Sequence, residues 1–213
     1  MKKFILPLLV LLFVGSLFAV ESEPSAVVGY VKYDCVAGLN LVALPMEQGY
    51  TLASEIGYAY PGAIDAINYW DAANQQWIAA IDLGGFWDPD FAVAPGMGLM
   101  ISAVSPLAFY SIGDMPATNP SYALVNALNL IMVPLDRSDL TYASSLGMDV
   151  GITDAINQWD AANQQWIAAI DLGGFWDPDF ETTIGMPLMI NAFSTGTWPT
   201  AREANSIFMK ANK

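Results

Sequence analysis

Hydrophobic and polar positions along the first half of the chain predict a series of short β-strands around a single helix. Residues 27–36 are rich in β-branched and aromatic side chains, and residues 39–44 form a continuous apolar run. Residues 98–104 and 107–112 form two more strand-like runs. Residues 51–56 have the pattern of one short helix, with Thr51 as its N-cap. The pattern therefore indicates a mainly β unit with one short helix.

This pattern occurs twice, because the chain contains a long internal repeat. Residues 65–91 and 154–180 are identical over 27 positions except at position 69, where Tyr69 aligns with Gln158. A repeat of this kind indicates two copies of one structural unit. We therefore predict two tandem small β-sandwich or barrel-like units, each with one short helix. The predicted divisions are a signal peptide (1–19), copy 1 (27–113), a linker (114–121), copy 2 (122–198) and a C-terminal tail (199–213).

The repeated segment itself fits two local structures. Its apolar residues fall near helical spacing, and Asp71 could cap a helix that begins after it. The same residues also fit a hairpin with strands at 66–70 and 76–81 and a loop at 71–75. Periodicity alone leaves both open. The substitution at Tyr69, beside the unchanged Trp70, favours the hairpin with Tyr69 pointing outward and Trp70 inward.

The start of the chain predicts export from the cell. Lys2 and Lys3 precede an apolar run, and small residues lead to a cleavage site after Ala19. The apolar run is short for a membrane span, although an uncleaved anchor is the alternative interpretation. No later stretch has the length of a membrane span. We therefore expect a secreted protein, either extracellular or at the surface of the cell envelope, with no membrane span after cleavage.

Charge and composition exclude several classes of function. Without Lys2 and Lys3, five basic residues face 21 acidic ones, which gives a net charge of −16. Such a charge repels nucleic acids and anionic lipids, and it is compatible with cations, neutral glycans or a basic partner. A net negative charge also keeps a secreted protein soluble, whether or not it has a charged partner. The chain has no histidine and one cysteine, so catalysis by Ser-His or Cys-His pairs and an intrachain disulfide are excluded.

Three motifs resemble a secreted β-module common in bacterial and archaeal cell-surface proteins. They are the G-x-N-L-[IV]-x-[LV]-P strand at 38–45, the W-D-x5-W hairpin at 70–77 and the P-G-x-G-[YL]-x-[IV] strand at 95–101. The second copy departs from the pattern at Ala127, Ile184 and Pro187. The resemblance covers nearly all of the mature chain and implies a fold and a location. It implies no catalytic residues, because the motifs define none.

Acidic residues in each copy suggest a calcium site. Oxygen-rich loops supply the ligands that Ca²⁺ prefers, and Asp88-Pro89-Asp90 could direct two carboxylates at one ion. The same residues are common in turns that bond their own backbone. Calcium is therefore the only cofactor we consider, and the structural interpretation stays open. The candidate ligands are Asp71, Asn74, Asp88 and Asp90, with Asp82 beside them, and in the second copy Asp160, Asn163, Asp177 and Asp179, with Asp171.

Aromatic residues in the repeat suggest a binding surface. Trp70, Trp77 and Phe86 recur in the second copy, and so does Trp87 as Trp176. Exposed aromatic rings can stack on sugars or mark an interaction site, whereas tryptophan in a small unit is often a core residue. Trp87 and Trp176 lie between Gly-Gly-Phe and Asp-Pro in a predicted loop. We therefore expect Trp87, Trp176 and the outward Tyr69 at the surface.

Together these features predict a secreted structural or interaction protein without enzymatic activity. Pairs of aspartates in the repeat could be interpreted as the two catalytic carboxylates of a glycosidase. Two equal active sites in so small a chain would, however, be unusual. The expected partner is a surface protein, a glycan or the chain itself. The alternative is a calcium- or carbohydrate-binding module. A third interpretation is that the repeat only packs the core and binds nothing.

Overall fold

Two antiparallel five-stranded sheets with the same strand arrangement form the framework of the chain. The computed structural model describes residues 28–199. The predicted signal peptide (1–19) and residues 200–213 of the predicted tail lie outside the described residues. The predicted fold class is confirmed: the protein is mainly β, with two tandem units that each contain one short helix. Neither helix in this range is long and apolar enough to cross a membrane.

The first half contains seven strands and one helix. Its large sheet has the order β2-β6-β3-β4-β5, and β1 pairs with β7 in a separate two-stranded ribbon. The first and last strands of the half are therefore neighbours. The elements are β1 Val28–Cys35, β2 Gly38–Ala43, α1 Ala53–Ala59, β3 Ile64–Asp71, β4 Gln76–Asp82, β5 Trp87–Asp88, β6 Gly98–Ala103 and β7 Leu107–Asp114.

The second half repeats this arrangement. Its large sheet has the order β9-β13-β10-β11-β12, and β8 pairs with β14. The ribbon is shorter here, because β8 and β14 have three residues each. The elements are β8 Tyr122–Leu124, β9 Ala127–Met132, α2 Ala143–Val150, β10 Thr153–Asp160, β11 Gln165–Asp171, β12 Trp176–Asp177, β13 Pro187–Ala192 and β14 Gly196–Trp198.

The repeated segment forms the predicted hairpin. Strand β3 pairs with β4 from Ala66↔Ile81 to Asp71↔Gln76, and β10 pairs with β11 in the same register. The helical alternative for 66–81 is therefore wrong. Gln75 ends the connecting turn with φ 53°, and Gln164 has the same value. This left-handed conformation closes the short connection between the two strands.

Each half has its own apolar core on one face of its large sheet. Ile67 and Ile101 are fully buried neighbours in the first half, and Ile156 and Ile190 occupy the same places in the second. Alternate residues of β3 and β6 point to this face, which explains the period-two pattern of the sequence. The helix of each half also contributes buried residues to its core, such as Ile56 of α1 and Leu146 of α2.

The helix of the first half begins one residue later than the sequence predicts. It starts at Ala53, so that Leu52 rather than Thr51 occupies the N-cap position. The carboxylate of Glu55 accepts hydrogen bonds from the backbone N–H groups of Thr51 and Leu52 at 2.6 and 3.1 Å. These bonds lower the pKa of Glu55, because they stabilise its ionised form.

Candidate functional site

The repeated hairpin joins the two halves of the molecule. The indole N–H of Trp70 in β3 donates a hydrogen bond to the carbonyl oxygen of Leu128 in β9, at 3.0 Å. The indole N–H of Trp159 donates to the carbonyl of Leu39 at 2.9 Å. These four residues are two equivalent pairs, so each half contacts the other in the same way. The contacts follow an approximate twofold symmetry, as in an isologous dimer interface.

Gln75 and Gln164 complete this contact from the hairpin turns. The Gln75 side chain donates to the carbonyl of Leu128 at 2.9 Å and accepts from the N–H of Leu128 at 3.0 Å. The Gln164 side chain makes the same two bonds with Leu39, at 2.9 and 2.8 Å. A carboxamide has one donor side and one acceptor side, as a peptide group has. Each glutamine therefore pairs with an edge strand of the opposite half.

Two tyrosines add a third reciprocal contact. The hydroxyl of Tyr33 donates to the carbonyl of Gly185 at 2.8 Å, and the hydroxyl of Tyr122 donates to the carbonyl of Gly96 at 2.8 Å. Burial raises the pKa of both phenols, because the ionised form loses its hydration. Both hydroxyls therefore remain neutral donors over the physiological pH range.

The apolar part of this contact lies on the sheet face opposite each core. Met100 alternates along β6 with the core residues Leu99 and Ile101, yet only 5% of its surface is exposed. At Gly98 a β-carbon would collide with the side chain of Leu130, so the absence of a side chain there allows close approach. We infer that the opposite half covers Met100.

This packing corrects the predicted orientation of Tyr69 and Trp70. Tyr69 lies on the core face, where its ring meets that of Phe91 edge to face with centroids 4.7 Å apart. Trp70 lies on the other face and contacts the second half. The predicted outward Tyr69 and inward Trp70 are therefore wrong. A face that is covered by another copy of the same unit cannot be distinguished from a core face by its hydrophobicity.

The expected exposure of Trp87 and Trp176 is also wrong. Their exposed fractions are 5% and 6%. The Trp87 ring lies against Gly57 of α1 so closely that a β-carbon at Gly57 would overlap it, and Trp176 lies on Gly147 of α2 in the same way. Each glycine therefore provides the space in which the indole packs, and these tryptophans belong to the core.

The carboxylates of Asp71 and Asp160 hold the hairpin turns. Asp71 accepts bonds from the backbone N–H groups of Ala73 and Asn74 at 3.1 and 3.2 Å, and from the Asn74 amide at 2.8 Å. The bond from the Asn74 side chain is the largest cause that lowers the pKa of Asp71. Asp160 and Asn163 repeat this arrangement. These four candidate calcium ligands therefore bond each other and their own turns.

Of the remaining candidate ligands, Asp90 and Asp179 bond the starts of the two helices. Asp90 accepts from the backbone N–H and the hydroxyl of Ser54 at 3.0 and 2.5 Å, at the start of α1. Asp179 and Ser144 form the same pair at α2. The neighbouring Asp88, like Asp177, is exposed on a two-residue strand. Within residues 28–199, no group of three or more Asp, Glu, Cys or His side chains is placed to hold a metal ion.

An exposed apolar loop follows the hairpin in each half. We call residues Leu83–Phe86 and Leu172–Phe175 the distal loops. Phe86 and Phe175 are 63% and 66% exposed, and Leu83 and Leu172 are exposed beside them. Large apolar side chains that are exposed side by side are typical of interaction sites.

The backbone of each distal loop is held in place. The N–H of Leu83 donates to the carbonyl of Phe86 at 2.7 Å, and the carboxylate of Asp82 accepts from the N–H of Gly85 at 2.6 Å. Gly84 and Gly85 have φ values of 88° and 94°, which residues with side chains rarely adopt. In the second loop the N–H of Leu172 donates to the carbonyl of Phe175 and the N–H of Gly174 donates to the carboxylate of Asp171, at the same distances. The loops therefore present their apolar side chains on a defined backbone.

Sequence reasoning missed the contacts of Gln75, Gln164, Tyr33 and Tyr122, and it ranked Trp87 above Phe86 as a surface residue. The one available signal for the distal loop was Asp82-Leu83-Gly84-Gly85, a turn sequence directly after a strand. No signal in the sequence identified the partners of the glutamines.

No protein-family model, curated protein or solved structure matches the chain.

Proposed function

We propose that this chain is an exported structural or interaction protein of the cell surface or extracellular space, without enzymatic activity, and that it belongs with the secreted β-modules that it resembles. The observation that carries the proposal is the rigid display of the same apolar loop in both halves. Trp70 and Gln75 contact the other half at the turn end of the hairpin, whereas the distal loop follows the opposite end of β4. Each distal loop therefore lies away from that contact.

The chemistry around the distal loops indicates the kind of partner. Residues 28–199 contain 18 acidic side chains and only two basic ones, Lys32 and Arg137, and both of these are paired with aspartates. An apolar contact on a chain with so large an excess of acidic side chains suits a neutral or basic protein surface. Two equal sites on one chain suit bivalent attachment, in which weak single contacts add to a high avidity.

No observation among the described residues favours the calcium- or carbohydrate-binding alternative over this one. The carboxylates of Asp71 and Asp90 already bond the turn and the helix start that they adjoin. Trp87, which was the expected sugar platform, lies in the core. The interaction role therefore rests on Leu83 and Phe86 and their equivalents.

We expect loss of the two exposed phenylalanines to abolish attachment to native cell envelopes. Phe86→Ser and Phe175→Ser should each weaken retention on purified envelope fractions. The double variant should reduce the apparent affinity about 100-fold or more, because avidity requires both sites. Quantitative co-sedimentation with envelopes of the producing cells measures this effect.

Phe193→Ser is the matched control, because Phe193 is a similarly exposed phenylalanine outside both loops. Unchanged thermal unfolding of all variants would separate loss of binding from loss of fold. Wild-type retention of the double variant, or an equal loss with Phe193→Ser, would contradict the proposed function.

A further inference from the structure

Strand β4 has an open edge along most of its length. On one side it pairs with β3 from Gln76 to Ile81, and on the other it pairs with β5 only at Ile81 and Asp82. Within residues 28–199, no strand pairs with this second side at residues 76–80. Strand β11 has the same arrangement, because it pairs with β12 only at Ile170 and Asp171.

The direction of the free backbone groups follows from the alternation along the strand. The N–H of Leu83 bonds Phe86 on the β5 side, and Ile81 pairs with Asp88 on that side. Backbone groups alternate between the two sides of a strand, so those of Trp77 and Ala79 also point toward the open side. An unpaired row of this kind is a template for the addition of another strand.

The open edge lacks the features that usually prevent strand addition. Residues 76–81 contain no proline, no glycine and no charged side chain. By contrast, the edge strand β1 carries Lys32 and Asp34, and the end of the edge strand β2 is bonded by Gln164. Proteins often protect exposed edges with charges or prolines, and β4 has neither along its open part.

We propose that a second copy of this chain adds to the open edge, with β4 or β11 pairing antiparallel with the same strand of the neighbour. Residues 76–81 and 165–170 are identical, and antiparallel pairing of two identical strands is self-complementary about a twofold axis. Trp77 and Ile81 lie on one face of this strand, so pairing also brings their apolar side chains beside those of the neighbour.

Because each chain has two such edges, addition at both produces linear assemblies rather than closed dimers. The acidic surfaces of two chains repel each other, so the association should become stronger as salt screens the charges. The inference goes beyond the proposed function, since it concerns the purified chain alone and uses the strand edge instead of the distal loops.

Analytical ultracentrifugation of the purified full chain tests the proposal. In roughly 0.5 M NaCl, where the screening length is only about 4 Å, the wild-type chain should form species that grow with protein concentration. Ala79→Pro removes one outward N–H and should stop growth at the dimer. Adding Ala168→Pro should leave monomers. Ala79→Ser keeps the N–H and should assemble like the wild-type chain.

Amide hydrogen exchange of the wild-type chain tests the same contact without a substitution that could impair folding. The N–H groups of Trp77 and Ala79 should exchange about tenfold or more slowly at high than at low protein concentration. The N–H of Ala80, which points toward β3, should be unaffected. A wild-type chain that stays monomeric at every concentration and salt level would overturn the proposal, and so would assembly by the double proline variant or exchange at Trp77 and Ala79 that is independent of concentration.

Discussion

Replacing Trp87 with alanine should lower the free energy of unfolding by about 3–5 kcal/mol, the usual cost of removing a large core aromatic. The indole of Trp87 is 5% exposed and fills the space above Gly57, so its removal leaves a cavity between α1 and the sheet. Trp176 packs on Gly147 in the same way, and Trp176→Ala should cost a similar amount. Chemical denaturation monitored by circular dichroism measures both variants.

The adjacent residue provides a matched control for this prediction. Phe86→Ala removes an exposed ring from the same loop and should change stability by no more than about 0.5 kcal/mol. Gly57→Ala tests the contact from its other side, because the added methyl group would collide with the Trp87 ring. Equal effects of Trp87→Ala and Phe86→Ala would show that the indole is not a core residue.

Arg137→Met should destabilise the chain by about 1.5–3 kcal/mol, the usual contribution of hydrogen bonds to a charged group. Arg137 is 5% exposed. Its guanidinium donates two hydrogen bonds to Asp149, both at 2.7 Å, and two to Asp139, both at 2.9 Å. The hydrogen bonds to Asp149 are the largest cause that raises the pKa of Arg137, and those to Asp139 come next. The substitution leaves both carboxylates without the positive charge that they surround.

The same network connects elements that are distant in sequence. Asp149 belongs to α2 and also accepts a hydrogen bond from the indole of Trp198 in β14, at 2.8 Å. Residues 28–114 contain no arginine, so this network belongs to the second half alone. The loss of stability in urea should therefore appear in the unfolding of the second half.

Lys32→Met is the control for the arginine prediction. Lys32 forms a short ion pair with Asp34, but both side chains are exposed to water. Exposed ion pairs contribute little to stability, so this substitution should have no measurable effect. A similar loss of stability in the two variants would contradict the buried character of the Arg137 network.

The sequence predicts the local elements well, because each of them depends on neighbouring residues. The hairpin predicted at 66–70 and 76–81 is present as β3 and β4, and the strands predicted at 98–104 and 107–112 are present as β6 and β7. Period-two alternation and turn residues were sufficient for these predictions. The helix begins one residue later than predicted, at a start where Glu55 and Asp90 both supply acceptors.

Contacts between distant residues could not be predicted in this way. The burial of Trp87 depends on Gly57, which lies thirty residues earlier on another element. The orientation of Trp70 depends on Leu128 in the other half of the chain. A hydrophobic pattern indicates that a face is covered, but it does not indicate whether the cover is the unit's own core or a second unit.

The structure therefore explains why some residues of the repeat are identical in the two copies. Trp70, Asp71, Asn74 and Gln75 form the turn and the contact between the halves, and each must recur for the contact to be reciprocal. Leu83 and Phe86 make no comparable contribution to the core. Their recurrence is the part of the repeat that the proposed interaction role addresses.

The most direct test of this account is whether the two halves remain associated after the linker is cut. A protease site placed at residues 116–119 allows cleavage of the folded chain, followed by size-exclusion chromatography. The reciprocal bonds of Trp70, Gln75, Tyr33 and their equivalents predict that the fragments of the wild-type chain elute together. Trp70→Phe and Trp159→Phe, combined with Gln75→Asn and Gln164→Asn, remove six of these bonds and should let the fragments separate. Separation of the wild-type fragments immediately after cleavage would contradict the account.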